Sequence, residues 1–306
     1  MERYLTFPRW CKEHYGRKLY RAALSAGMTC PNRDGKIDTR GCIFCLGGSG
    51  DFSIEYDGRR MSREDLVFNH REAQPGDYIA YFQSYTNTYA PVERLRFLFE
   101  SALRDPLFGG ISVATRPDCI DEDIASLFAQ LRKEYPDKLI MVEQGLQTVH
   151  ESSAAWMRRG YSLPVFEKAV RLLHEADVNI VVHVIIGLPG ETKQMMYETV
   201  RSLNRYNIQG IKLQLLHYLK GTDLGTMYEE NPEQFHVLTL EEYTEIISEC
   251  IAILNPDIVI HRLTGDGNGE ALLAPLWSRD KRHVLNMIRH ELKTRNIIQG
   301  CHRDNE

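Results

Sequence analysis

Seven apolar runs of strand length recur along the chain, and amphipathic segments lie between most of them. The runs are residues 18–25, 78–83, 110–115, 138–144, 178–186, 210–216 and 257–263. Parallel neighbours in a sheet need long crossover connections, which are usually helices. The alternation therefore predicts an α/β fold with a mostly parallel sheet. The run VNIVVHVII is apolar on both faces, which is typical of a strand covered on both sides.

The helical segments carry start signals as well as apolar spacing. We expect Pro91 at the first helical position of a helix whose apolar face begins at Val92. Asp121 is suited to cap the next helix, and Ser62 with Asp65 forms a capping box for a shorter one. Further helices are predicted over 163–176, 192–206, 239–254 and 280–294.

Both an open Rossmann-type sheet and a (β/α) barrel fit this alternation. The chain has neither a G-x-G-x-x-G loop after its first strand nor a G-x-x-x-x-G-K-[ST] loop, so the usual markers of nucleotide-phosphate binding are missing. Three cysteines occupy the loop after the first strand instead. Because loops at the carboxyl ends of barrel strands build active sites, we favour the barrel.

Composition excludes several classes of protein. The 306 residues are 43% hydrophobic and 26% charged with a net charge of −5, which does not fit an intrinsically disordered chain. The sequence has no run of about 18 apolar residues, so no membrane-spanning helix is expected. The charged N-terminus does not resemble a secretory signal. We therefore expect a cytoplasmic protein that does not enter membranes.

The seven cysteines are unevenly spaced. Cys30, Cys42 and Cys45 form a C-x11-C-x2-C pattern, whereas Cys119, Cys250 and Cys301 have no neighbour at ligand spacing. In a reducing compartment, clustered cysteines more often bind metal or do chemistry than form disulfides. Structural zinc would need a fourth ligand, for which His14 and His70 are candidates by type only. A 4Fe-4S cluster usually takes four thiolates, so three would leave one iron open.

At this point the motifs resemble a known superfamily. Three cysteines ending in C-x2-C, after the first strand of a βα-repeat chain, look like the cluster loop of radical S-adenosylmethionine (SAM) enzymes. The superfamily usually places three residues between the first two cysteines, and here there are eleven. Long spacing is similar to the branch that includes the catalytic subunit of Elongator. CPNRDG, GCIFC, YFQSYTNTYAP, ISVATRPDC, GLQT and IIGLPGET together resemble a bacterial family of roughly 300-residue radical SAM proteins.

The resemblance implies a fold and two cofactors. The fold would be a partial (β/α)6 barrel with extra terminal helices: an N-terminal extension over 1–17, the core barrel over 18–222, and a C-terminal extension over 223–306 that packs on the barrel. Cys30, Cys42 and Cys45 would hold a 4Fe-4S cluster whose open iron chelates SAM. An electron from that cluster would cleave SAM to methionine and a 5′-deoxyadenosyl radical, which abstracts hydrogen from the substrate. Leu46 departs from the family pattern, which has a polar residue there.

The same resemblance points to contacts with SAM at the strand ends. The amino group would lie near Gln83, Ser84, Thr86 and Asn87, although these replace the usual Gly-Gly-Glu. Glu143 and Gln144 would meet the ribose or carboxylate, and Arg158 or Arg159 would suit the carboxylate. Gly187 and Pro189 belong to a loop that lets the backbone approach adenine. Each group has an alternative interpretation. Arg158 and Arg159 would be surface arginines, residues 83–88 would be a strand-end turn, and residues 187–192 would be a strand-to-helix turn.

Other polar residues near strand ends are candidates for the substrate pocket. His217 and Lys220 are the candidate catalytic residues, because they end the sixth predicted strand beside Gly221. A lone histidine on an apolar strand, such as His183, is more often a satisfied core residue. The remaining candidates are Arg116, Asp118, Lys212, Arg262 and Asp266.

The substrate is the most open question. Kinship with Elongator suggests tRNA, with chemistry on the side chain at carbon 5 of the wobble uridine. Residues 1–40 hold nine Lys or Arg against four Asp or Glu, and 276–303 hold seven against two, which is compatible with phosphate contacts. A small metabolite or a protein is the alternative substrate, and a zinc-stabilised, non-enzymatic RNA-binding module is the alternative class. An electron donor such as flavodoxin or ferredoxin, and a separate methyltransferase, would be further partners.

Overall fold

The computed structural model describes residues 2–47, 53–66, 70, 72–265 and 269–303. Within these ranges no helix is long and apolar enough to cross a membrane. The α-helices are α1 (Phe7–Tyr15), α2 (Val92–Arg104), α3 (Glu122–Glu134), α4 (Glu151–Trp156), α5 (Leu163–Glu175), α6 (Lys193–Leu203), α7 (Asp223–Glu230), α8 (Leu240–Ile253) and α9 (Lys281–Thr294). Short 3-10 helices lie at Arg63–Asp65, Pro117–Cys119, Pro232–Gln234 and Leu276–Arg279.

The described strands form one large parallel sheet and one small antiparallel pair. They are β1 (Tyr20–Ser25), β2 (Ile54–Glu55), β3 (Tyr78–Phe82), β4 (Phe108–Thr115), β5 (Leu139–Gln147), β6 (Asn179–Ile186), β7 (Gly210–Leu215), β8 (Tyr218–Leu219), β9 (Val259–Arg262) and β10 (Leu272–Ala274). The large sheet has the order β2-β1-β3-β4-β5-β6-β7-β9, and every neighbouring pair in it is parallel. β8 pairs with β10 in the second sheet.

The predicted α/β fold is confirmed, and each of the seven predicted strands corresponds to a strand of the large sheet. Asp121 caps α3 through its side chain, and Ser62 with Asp65 forms the expected capping box. Pro91 lies one position earlier than predicted: it is the N-cap of α2, because its ψ of 140° is extended rather than helical. The division into domains stays a prediction, and β9, which lies within 223–306, adds directly to β7.

The sheet curves around a central space, which we call the lumen. Arg21 lies on β1 and His261 on β9, with five strands between them in the sheet order. Their side chains nevertheless meet, since Arg21 Nη2 lies 2.6 Å from His261 Nδ1. A flat sheet cannot bring these strands together, so the architecture is a partial barrel.

The lumen is filled by apolar side chains at the amino ends of the strands. Ile79, Leu139, Met141, Val181 and Val259 form a buried cluster there with Leu19 and with Phe7 and Cys11 of α1. α1 therefore closes this end of the barrel. Its start and end are encoded locally, because Thr6 caps its first turn and Gly16, with a φ of +67°, ends it.

Candidate active site

The three clustered cysteines lie in the loop that follows β1, at the carboxyl end of the parallel strands. All three are half-buried free thiols. The loop is anchored on both sides, because Ile43 N–H donates to Met157 O (3.2 Å) after α4 and Leu224 N–H of α7 donates to Ile43 O (2.9 Å). The cysteines are therefore held at the barrel mouth.

The environment of the thiols suits a shared centre. Burial raises the pKa of Cys42 to about 11, the Arg116 charge lowers it, and the Cys45 and Cys30 thiols raise it further. No three His, Cys, Asp or Glu side chains in the described ranges converge as a single metal ion requires. Thiolates are soft ligands of the kind that iron–sulfur clusters take, so these residues fit such a cluster by donor chemistry.

The turn after β3 packs directly beside the cysteine loop. Thr86 N–H donates to the carbonyl of Thr29, the residue before Cys30, at 3.1 Å. Asn87 is fully buried and braces the turn, since its Nδ2 donates to Ser84 O (3.2 Å) and Ala114 O (3.0 Å). Ser84, Thr86 and Asn87 are all buried. The polar groups predicted from YFQSYTNT therefore form a folded turn next to the cluster loop.

Gln83 begins this turn and has a separate contact. Its Nε2 donates to Ser53 Oγ at 2.8 Å. Tyr85, with a φ of +60°, points its hydroxyl towards Gly47 O at 2.6 Å, just beyond Cys45. The turn therefore contacts chain on both sides of the cluster loop.

Glu143 and Gln144 of β5 face opposite sides of the sheet. Successive side chains of a strand alternate between its two faces. The Glu143 carboxylate lies in the lumen, whereas Gln144 is on the side of Val142, which belongs to the core under the helices. Gln144 is fully buried, and its side-chain amide has no hydrogen-bond partner in the described part of the chain. The structure thus separates two residues that the sequence analysis grouped.

The Glu143 carboxylate lies at the centre of a set of lumen side chains, which we call the lumen network. Ser112 Oγ donates to it at 2.8 Å and His183 Nε2 lies 2.7 Å from it. Lys212 Nζ forms an ion pair with it, and Arg21 Nη2 lies 3.8 Å away. The network comprises Arg21, Tyr81, Ser112, Glu143, His183, Lys212 and His261.

Burial and charge set the ionisation of this network. Burial pushes the pKa of Glu143 up, but the cations of Lys212 and Arg21 and the bond to His183 outweigh it and hold that pKa well below its ordinary value. Burial lowers the pKa of Lys212 to about 7, with Glu143 opposing the shift. Burial and the Lys212 charge lower the pKa of His183 to about 4. At neutral pH Glu143 is therefore ionised and His183 is neutral.

The loop after β6 contains the Gly187 and Pro189 of the GLPGET motif. Gly187 has a φ of +90°, and a Cβ at this position would lie 3.0 Å from Leu238 Cδ1. Glycine is therefore required here by backbone conformation and by close packing. Thr192 is the N-cap of α6, so the motif also serves as a strand-to-helix turn.

Arg158 and Arg159, which follow α4, point to different surroundings. Arg158 has a φ of +56° and forms an ion pair with Asp223 at the start of α7. Arg159 is buried and donates to the carbonyls of Leu146 (2.8 Å) and Thr148 (2.6 Å). Arg159 therefore holds the end of β5, and Arg158 lies nearer the cysteine loop.

The two candidate catalytic residues differ in exposure. His217 is buried beyond β7, its Nε2 has no hydrogen-bond partner in the described ranges, and burial lowers its pKa to about 4. Lys220 is exposed.

Arg116 and Asp118 form a bidentate pair, with Nε–Oδ1 at 2.9 Å and Nη2–Oδ2 at 2.7 Å. Asp266 lies outside the described residues.

Several residues of this region were not predicted from the sequence. Arg21, Tyr81, Ser112 and His261 join the lumen network, and Asn32 contacts Cys42. For Arg21, Tyr81 and His261 the signal was the alternation within the buried strands, because each lies two positions from an apolar lumen residue, as Tyr81 does from Ile79.

Comparisons with known proteins are consistent with this geometry. The chain matches the family model of the radical SAM superfamily over residues 39–203 and that of the Radical SAM C-terminal domain over residues 208–294. It is 39% identical over 302 residues to protein YtqA of Bacillus subtilis, covering 98% of this chain and 92% of YtqA. It is 31% identical to protein YhcC of Escherichia coli, covering 87% and 85%.

More distant similarities include one protein named for tRNA and one solved structure. The chain is 23% identical over 159 residues to a tRNA uridine(34) acetyltransferase of Methanocaldococcus jannaschii, covering 51% of this chain and 28% of that protein. The structure resembles archaeal Elp3 of Methanocaldococcus infernus with a TM-score of 0.67 at 16% identity, covering 94% of this chain and 66% of that one. The likeness to archaeal Elp3, at this low identity, shows a shared fold. With a family model that matches more than half of the chain, and with YtqA similar over nearly its whole length, this chain belongs to the radical SAM superfamily of enzymes.

Proposed function

We propose that the chain is a radical SAM enzyme that remodels the side chain at carbon 5 of a tRNA wobble uridine. Cys30, Cys42 and Cys45 would hold a 4Fe-4S cluster with an open iron. The observation that carries the chemistry is the group of three half-buried thiols at the mouth of a parallel barrel in a chain of this superfamily. When bound, the cluster and SAM would supply a 5′-deoxyadenosyl radical that removes a hydrogen atom from the substrate.

The strand ends would bind and orient SAM. The turn of Gln83, Ser84, Thr86 and Asn87 would meet the amino group, and the bond from Thr86 N–H to Thr29 O, next to Cys30, supports this role. Gly187 and Pro189 would let the backbone approach the adenine, since Gly187, whose positive φ favours glycine, presents no side chain there. Arg158 is the arginine nearer the cysteine loop and would meet the carboxylate.

The lumen would be the reaction chamber, with the lumen network as its floor. Glu143 is fully occupied by protein partners, so we assign it to holding Lys212 and His183 rather than to direct contact with the ribose. Gln144 faces away from the lumen, and we assign the contact at the end of β5 to residues 145–148 instead. His217 and Lys220 remain the proposed groups beside the substrate. Below the network, the apolar layer closed by α1 would keep water out.

The tRNA assignment rests on two similarities and on charge. The fold resembles archaeal Elp3, and the sequence matches part of a tRNA uridine(34) acetyltransferase. The basic segments 1–40 and 276–303 offer phosphate contacts. A separate methyltransferase and a flavodoxin or ferredoxin would be partners in the pathway.

The chemistry is tested by anaerobic reconstitution with iron and sulfide, followed by dithionite, SAM and chromatography of 5′-deoxyadenosine. We expect brown protein with about four irons per chain and slow 5′-deoxyadenosine release. Cys30→Ala, Cys42→Ala and Cys45→Ala should each abolish both, whereas the exposed Cys301→Ala is the matched control and should not. Colourless protein with one zinc, or full 5′-deoxyadenosine release from a Cys42→Ala variant, would contradict the proposal.

The substrate is tested separately with bulk tRNA at low salt. We expect tRNA to bind, to speed 5′-deoxyadenosine release, and to yield a nucleoside of changed mass at the wobble position. Binding should weaken steeply as salt rises, because phosphate contacts release counterions. Normal SAM cleavage without any tRNA binding would retain the enzyme and exclude the tRNA substrate, leaving a metabolite or a protein.

A further inference from the structure

Asn32 makes a contact that no predicted role accounts for. It lies two residues after Cys30 and only 1% of its surface is exposed. Its Nδ2 donates to Cys42 Sγ at 3.4 Å and to Arg158 O at 2.6 Å. An amide nitrogen carries two hydrogens, so these two acceptors use its full donor capacity. The amide is therefore fixed in orientation, with one hydrogen directed at a thiol of the cluster loop.

The long spacing between the first two cysteines produces this contact. Arg33 N–H (2.8 Å) and Asp34 N–H (3.2 Å) both donate to Cys30 O, so the chain turns tightly at Asn32. Ile37 N–H donates to Pro31 O at 2.8 Å and closes a second, wider turn. The eleven residues therefore fold back on themselves and return the chain to Cys42 beside the amide of Asn32.

A hydrogen bond to a cluster sulfur has a known physical effect. One-electron reduction adds negative charge to a cluster and its thiolates. A donor aimed at a thiolate stabilises the reduced form more than the oxidised form, so it raises the reduction potential.

We propose that Asn32 is a positioning residue that raises the reduction potential of the cluster by donating a hydrogen bond to the sulfur of Cys42. The inference rests on the proposed function, because it requires Cys42 to be a cluster ligand. Asn32 would then help to set how readily an external one-electron donor reduces the enzyme before SAM is cleaved.

The test is a dithionite titration of reconstituted Asn32→Leu and wild-type protein, followed by electron paramagnetic resonance. Leucine has similar volume and no donor. We expect the equilibrium constant for one-electron reduction to fall about tenfold, which is 59 mV to more negative potential. Asn32→Asp should shift the potential further in the same direction, because it brings an acceptor to the sulfur. The matched control is Asn179→Leu, which removes a partly buried amide that donates to Ile140 O at the opposite end of the barrel.

The outcomes separate the two proposals. An unchanged potential in Asn32→Leu with about four irons per chain would overturn the role of Asn32 and leave the cluster assignment intact. Wild-type protein that takes up no cluster would overturn the proposed function. If Asn32 variants do not retain a cluster, wild-type protein labelled with ¹⁵N only in asparagine side-chain amides decides the question. A ¹⁵N coupling to the reduced cluster in pulsed spectra supports the bond, and its absence excludes it.

Discussion

Replacing Glu143 by glutamine should destabilise the protein strongly, because Glu143 is the anion of the lumen network. The change leaves the size of the side chain nearly constant and removes its charge. Lys212, whose side chain is 3% exposed, would lose its counterion in a site that water cannot reach. Arg21 is 24% exposed at its side chain and would lose less.

The magnitude follows from the distances. At an effective dielectric constant of about 20, charges separated by the 3.8 Å between Arg21 and Glu143 attract by about 4 kcal/mol, and Lys212 is closer still. The cost of removing these charges from water offsets part of that attraction. Removal of one partner from a buried pair therefore typically costs about 3–5 kcal/mol, mainly because the other charge stays buried. We expect Glu143→Gln to lower the free energy of unfolding by that amount near pH 6, where Lys212, with a pKa of about 7 in the fold, carries its charge.

The assay is anaerobic urea unfolding followed by tryptophan fluorescence, with a double-mutant cycle. Glu143→Gln combined with Lys212→Met should recover much of the lost stability, because neither charge is then left alone. Glu13→Gln breaks the exposed Arg9–Glu13 pair and is the control, with no measurable loss. A loss below about 1 kcal/mol for Glu143→Gln, or no recovery in the double variant, would refute the view that a buried charge is left unpaired.

Three further predictions concern acid sensitivity, backbone strain and capping. The pKa of His183 is about 4 when folded and 6.5 ordinarily, so the unfolded chain binds an extra proton as pH falls from 6.5 to 4. The free energy of unfolding should therefore fall by up to about 1.4 kcal/mol per pH unit there, and less steeply in His183→Gln, as pH-dependent urea unfolding would measure. Gly187→Ala and Gly190→Ala should each cost about 1–2 kcal/mol from a positive φ, and Gly187→Ala should cost more, because its Cβ would also lie 3.0 Å from Leu238 Cδ1 whereas that of Gly190→Ala meets nothing within 4 Å; melting of both variants compares them. Thr239→Ala should cost about 1 kcal/mol, because it removes the capping box of α8.

The sequence was sufficient for the parts of the fold that depend on local pattern. Long apolar runs and capping residues each produce structure within a few residues, so the predicted strands and caps such as Asp121 were found in the structure. Strands β2, β8 and β10 were not predicted, because two or three residues carry no periodicity. α1 was not predicted either, although Thr6, Pro8 and Gly16 gave its boundaries.

The site was predictable only where chemistry and sequence coincide. Cysteines at short spacing are recognisable as candidate metal ligands from the sequence alone. Glu143 and Gln144 are neighbours in sequence but face opposite sides of a strand, so adjacency in sequence wrongly grouped them. Arg21 and His261 are far apart in sequence and meet only because the sheet curves. The meeting of such residues depends on sheet closure, which no local pattern encodes.

Closure also makes α1 part of the electrostatics of the lumen. The Phe7 ring lies 4.4 Å from the Arg21 guanidinium carbon and 4.5 Å from the His261 ring, directly against the lumen network. Phe7→Ala should cost about 3–5 kcal/mol and admit water beside the network. With less burial, the pKa of Lys212 should rise from about 7, so the gain in stability between pH 7 and 9 that Lys212 provides should shrink. Phe128→Ala removes an equally buried ring from the outer helix layer and should lose similar stability without changing that pH dependence. The free energy of unfolding is measured by urea unfolding from pH 7 to 9. If it rises with pH as steeply in both variants as in the wild type, α1 does not keep the network dry.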